Sequence, residues 1–131
     1  MKLLGDRTLL IRIPLAVILL AHSVPGMVDG GVNDFGDLFL NNIGFAPFGI
    51  LIAWVIKASH VVCAVLLLLN KYIKAAAVCT IFILVMGIVL IHWREGWFVV
   101  GGGRNGIEYN FLMVFLFVYL FFDRNIQESL K

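Results

Sequence analysis

An all-α integral-membrane fold, a bundle of four spanning helices with both termini cytoplasmic, is the architecture this sequence predicts. Three observations predict it. Hydrophobic residues make up 62% of the 131 positions and charged residues only 14%, against about 45–50% and about 25% in soluble domains. A domain of this size buries only about 60–70% of the surface its unfolded chain exposes, so lipid must cover the rest. Four apolar stretches approach the roughly 20 residues that a spanning helix needs, and none alternates apolar and polar residues as a barrel strand does. They make one domain over 1–131, without linker, repeat or low-complexity tract.

The first span is predicted at about 8–24, where Lys2, Arg7 and Arg12 lead into IPLAVILLA. That is also the charge pattern of a secretion signal, but no small-x-small cleavage site follows, so the helix is expected to be retained. A loop over 25–45 carries Asp29, Asp34 and Asp37 and no basic residue. The second span, about 46–69, places Ala53, Lys57, His60 and Ala64 on one helical face, a small and polar stripe suited to facing other helices. The third runs over about 72–91. The fourth, about 106–122, is the shortest and is rich in aromatic residues from Tyr109 to Phe122.

Basic residues set the orientation, because cytoplasmic loops collect Lys and Arg. Lys2 and Arg7, Lys71 and Lys74, and Arg124 and Lys131 fall on one side, against Arg94 and Arg104 on the other. The stretch HWREGWFVVGGGRNGIEYNFL, residues 92–112, then begins on the outer face, with Trp93 and Trp97 at the interface and His22 at the same level.

Three motifs invite other chemistry. GGGRNG, residues 101–106, spells G-x-G-x-x-G, follows the strand-like WFVV and has Asp123 downstream, but a dinucleotide site needs a parallel sheet around it. No Lys-Ser or Lys-Thr follows for a phosphate loop, and nucleic acid is not an expected partner. Cys63 and Cys79 lie symmetrically about Lys71, each about 12 Å from the turn along its helix. They are either a thiol pair or, the commoner outcome, two inert buried thiols. His22, His60 and His92 sit on different helices without metal-ligand spacing, so no metal is assigned and a haem or zinc site is not expected.

Ionisable groups within a span cost at least about 2.5–3.5 kcal/mol at the bilayer centre, and so usually face the bundle interior. Lys57 and His60 lie near the midplane of the second span. Each candidate also has a structural role open to it. Lys57 would serve as an interhelical partner of Glu108, Glu108 as a charge on a helix start, Arg12 as a snorkelling side chain and His22 as an interfacial one.

The strings LIRIPLAVILLAHS (10–23), HWREGWF (92–98) and GIEY (106–109) resemble the DoxX family of small bacterial membrane proteins, over nearly the whole chain. The resemblance implies a four-helix bundle in the bacterial inner membrane, linked to redox-active complexes. The family takes its name from a subunit associated with a thiosulfate–quinone oxidoreductase. The family's motif positions fall on His92, Gly96, Phe98, Gly106, Glu108 and Tyr109. Members often carry a glutamate in the second helix where this chain has His60, and Lys57 departs from the pattern too.

The expected function is therefore a small membrane subunit of a redox or quinone-linked system with an outward-opening polar pocket, an accessory subunit more than a complete enzyme. Glu108, with Arg104 and His92, is expected to hold or protonate a small polar ligand or quinone head group, with Tyr109 and His22 beside them. Lys57 and His60 would continue a polar path inward. Partners would be the bilayer, further copies of the chain, or other membrane or periplasmic subunits. The alternatives are a non-catalytic assembly subunit and, less favoured, a small-anion transporter, for which Gly87 is a weak candidate for a broken span.

Overall fold

A computed structural model describes residues 6–123, and among them every regular element is helical. In chain order these are α1 (Leu9–Asp29), α2 (Gly31–Asp34, continuing as a wide-turned π-helix, Phe35–Phe45), α3 (Gly49–Leu69), α4 (Ile73–Leu90) and α5 (Glu108–Phe122). α1, α3 and α4 are long and apolar enough to cross a membrane, while α5 is apolar but has only 15 residues.

α3 packs between α1 and α4, and α4 packs on α5. Their shared core holds Leu15, Leu19, Leu67, Ile73, Leu84 and Phe117. A second small core, Val32, Leu40 and Ala53, joins α2 to α3.

Two of the predicted boundaries move. α1 does not stop at Val24 but runs through Pro25 to Asp29, ending where Gly30 adopts φ +88, the left-handed conformation that closes helices. Pro14 and Pro25 both lie inside it. A proline forfeits one backbone bond, which a packed membrane helix tolerates.

The larger correction is the segment expected to be a loop. Residues 31–45 are α2, broken only at Gly44 with φ +111. Their polar side chains bind one another and the next helix. The Asn41 side-chain amide donates to Asp37 Oδ1 (3.1 Å), that of Asn42 to the Leu38 carbonyl (2.6 Å). Asn41 Oδ1 accepts the Gly49 N–H (2.9 Å) and so caps α3, while Trp54 Nε1 donates to Asn33 Oδ1 (2.8 Å). Gly36 and Gly49 let the two backbones touch: a Cβ on Gly36 would lie 2.7 Å from Ile50 N and 2.8 Å from Gly49 O.

At the opposite end, α3 closes on Asn70 (φ +54), with Lys71 N–H donating to the Leu66 carbonyl (3.0 Å), and α4 follows at once. Arg12, expected to snorkel, is instead buried against this turn. Its guanidinium donates to Thr8 Oγ1 (3.0 Å) and the Leu67 carbonyl (2.6 Å) and pairs with Asp6. Asp6 also accepts the Thr8 N–H (3.0 Å) and hydroxyl (2.6 Å), fixing the start of α1. Partial burial opposes ionisation of Asp6, but these bonds and the Arg12 charge outweigh it and hold its carboxyl below the usual value.

Candidate functional site

A cavity of about 640 Å³ opens within the α2 end of the bundle. All five helices wall it, with Leu19 from α1, Phe35 and Leu40 from α2, Ile52 from α3, Leu84 from α4 and Met113 from α5 among the apolar residues. Its size and apolar walls are those of small-molecule sites, in which a few polar groups fix the ligand.

Five of the seven ligand or proton-path candidates line it: His22, Lys57, His60, His92 and Tyr109. Lys57 Nζ donates to the His22 carbonyl (3.1 Å) and stands 5.8 Å from the centre of the Phe35 ring. One turn along α3, His60 is only 4% exposed. Its Nδ1 lies 3.4 Å from Ser23 Oγ, and its Nε2 is buried without a hydrogen-bond partner among the described residues. The His22 and His60 rings are 6.2 Å apart, centre to centre. His92 Nδ1–H donates to the Asn105 carbonyl (2.6 Å), so that ring is oriented and its Nε2 is left for other partners.

Glu108 and Arg104 stand elsewhere. Glu108 Oε1 accepts the Val99 N–H (2.9 Å), and the backbone around it forms a short ladder: Gly106 N–H to Phe98 O (3.1 Å), Ile107 N–H to Gly96 O (3.0 Å), Glu108 N–H to Trp97 O (3.0 Å). A Cβ on Gly106 would sit 2.5 Å from Phe98 O, so this closed loop requires glycine there. Arg104 is exposed on the same loop. The stretch WFVV is not a strand. Nor do Lys57 and Glu108 meet, since their polar contacts are the His22 carbonyl and the Val99 N–H. The interhelical partnership expected between Lys57 and Glu108 is therefore not formed. Glu108→Gln keeps an acceptor for Val99 and is expected to leave stability within about 0.5 kcal/mol, whereas Glu108→Ala should cost about 1–2 kcal/mol. Thermal unfolding and amide exchange at Val99 measure both.

Sequence reading missed Ser23 and Asn110. Asn110 is buried on the cavity wall, and its signal was a lone amide in the otherwise apolar YNFLMVF. Phe35, Leu40 and Phe45 were missed because α2 was read as loop.

Cys63 and Cys79 are both free, and both line a second, shallower groove of about 430 Å³ between α3 and α4. Among the described residues no three His, Cys, Asp or Glu side chains form a metal-binding group.

Comparison with known proteins gives one match. The family model described as DoxX covers residues 7–93, which takes in α1 to α4. It stops at Trp93, so most of the 92–112 stretch, expected to carry the likeness, lies outside the match. No curated protein and no solved structure matches the chain.

Proposed function

The chain belongs to the DoxX family, and on that premise we propose that this membrane protein is a small subunit of a redox or quinone-linked system whose cavity holds a quinone head group. The reading rests on one observation: His60 Nε2 is buried and unpartnered on the wall of an apolar cavity, with the Lys57 ammonium one helical turn away. A buried polar atom left unpaired costs about 1–3 kcal/mol, and a ligand oxygen there removes that cost.

A quinone suits the walls. Its ring and substituents are apolar, and its two carbonyl oxygens accept hydrogen bonds. A small hydrated anion does not suit them, because the lining is largely aliphatic and aromatic. His22, His60, His92 and Tyr109 supply proton-exchanging groups around the head group. Electrons would come from a partner, either another copy of the chain or a membrane or periplasmic subunit, which makes this chain an accessory subunit.

In this reading α1, α3, α4 and α5 cross a bacterial inner membrane with both termini cytoplasmic. Arg7, Lys71 and Lys74 lie at the cytoplasmic end, and α2, Arg94 and Arg104 at the outer end. Lys2, Arg124 and Lys131, which entered the orientation count, lie outside the described residues. With 15 residues α5 is about 22 Å long, so it spans a core of about 30 Å by local thinning and anchoring of its ends.

The test is binding of decyl-ubiquinone to the protein in lipid nanodiscs. His60→Leu and Lys57→Met should each weaken binding about tenfold, the equivalent of one lost hydrogen bond in a dry site, while Glu108→Gln should leave it unchanged. Wild-type affinity in both His60→Leu and Lys57→Met overturns the reading.

A further inference from the structure

The cavity does not end at the bundle interior. It shares Val55, Ser59 and Cys79 with the groove between α3 and α4, so the two adjoin and together lay out a track. The groove runs along α3 from Val55 to Leu66, about 16 Å of helix. Small residues line it, with Ala76 buried and Ala58, Ser59 and Ala75 nearer the surface. Val55 and Val62, each 57% exposed, form part of its open side. Leu51 and Phe82, 62% and 65% exposed, stand on the same side of the cavity itself. Both helices are long and apolar enough to cross a membrane, so this opening faces acyl chains and not water.

The imidazoles and the ammonium are gathered at one end of the track. His22, Lys57, His60 and His92 line the cavity, whereas the groove has only the Ser59 hydroxyl, which donates to the Val55 carbonyl (2.7 Å), and the two thiols. We propose that the ligand is drawn sideways from the bilayer and is a single-tailed amphiphile, its head at His60 and Lys57 and its tail in the α3/α4 groove. The proposal rests on the quinone reading of the cavity and adds to it the route of entry and the seat of the isoprenoid or alkyl tail. The groove beside the head-group site runs between two helices only, α3 and α4, and suits a single chain. Since lipid is as apolar as the groove, the tail is held by close packing over the small residues and not by the hydrophobic effect.

A decyl-quinone with a diazirine at the tail end, photolysed on the protein in nanodiscs, tests this. Labelling is expected on the peptides carrying Ala58, Val62, Leu66 and Ala75. Ala58→Trp and, separately, Ala75→Trp should fill the groove and abolish that labelling, while binding of a tail-less quinone and the unfolding temperature stay at wild-type values. Tail labels spread equally over α1 and α5, or unchanged in both Trp variants, overturn the proposal. The same diazirine carried on lauric acid separates the two readings. If no quinone binds but laurate labels the groove, the track stands and only the quinone is lost. If neither labels it while decyl-ubiquinone still binds, the track falls and the quinone reading stands; if decyl-ubiquinone does not bind either, both fall.

Discussion

Gly36→Ala is expected to destabilise the protein by about 3 kcal/mol, the upper end of what overpacking costs, and to release α2 from α3. The added methyl would press on Ile50 N at 2.7 Å and Gly49 O at 2.8 Å, and both are backbone atoms that no rotamer change can move. Gly49→Ala fails for the reciprocal reason, because its Cβ would meet the Gly36 carbonyl and, at 2.5 Å, Asn41 Oδ1. Gly26→Ala is the control. Its Cβ would sit in ordinary contact, 3.5 Å from Val32 Cγ2, and alanine in a helix interior restricts the unfolded chain, so it should be neutral or mildly stabilising. Tryptophan fluorescence during unfolding in detergent reads all three, since Trp54 is tied to Asn33 of α2. A Gly36→Ala protein within about 0.5 kcal/mol of wild type would mean that the close approach of α2 and α3 does not exist. Because Phe35 and Leu40 wall the cavity, losing α2 should also abolish ligand binding.

Arg12→Met should cost about 3–5 kcal/mol, the range for breaking a buried ion pair from one side. It strands the Leu67 carbonyl, the Thr8 hydroxyl and the Asp6 carboxylate together. Arg12→Lys should recover little, because a point ammonium cannot reproduce a planar fork that reaches three acceptors. The same cluster makes stability depend on acid. The Asp6 carboxyl is more acidic folded than its ordinary value of 3.8. Its contribution is therefore complete above that value and is lost as pH falls below it towards the folded value. Melting temperature followed from pH 6 downward should drop below about pH 4 in the wild type and less steeply in Asp6→Asn. Parallel curves would remove Asp6 from this role.

Hydropathy made the spans over 46–69 and 72–91 legible to within a few residues of Gly49–Leu69 and Ile73–Leu90, because a lipid-facing helix must be apolar throughout. It failed at α2. Asp34, Asp37, Asn41, Asn42 and three glycines read as a surface loop, since nothing local reveals that the Asn and Asp side chains bond one turn apart or that Gly36 meets Gly49. It failed at Arg12 for a related reason. Its counterion comes from Asp6, outside the apolar run, and two of its partners are a hydroxyl and a carbonyl. For the site, the rarity of charge within spans was enough to find Lys57 and His60. Glu108 was assigned to the pocket because a carboxylate near two histidines suggests convergence, yet it answers a backbone N–H at Val99, a partner that no side-chain pattern advertises.

Lys57 also sets a valence. An ammonium has three N–H donors, and among the described residues its one hydrogen-bonding acceptor is the His22 carbonyl, with the Phe35 ring 5.8 Å to one side. Two donors remain uncommitted, and His60 Nε2 adds one further position. Lys57 and His60 thus offer a guest three hydrogen-bonding valences within one turn of α3, beside those of His22, His92 and Tyr109 elsewhere on the wall.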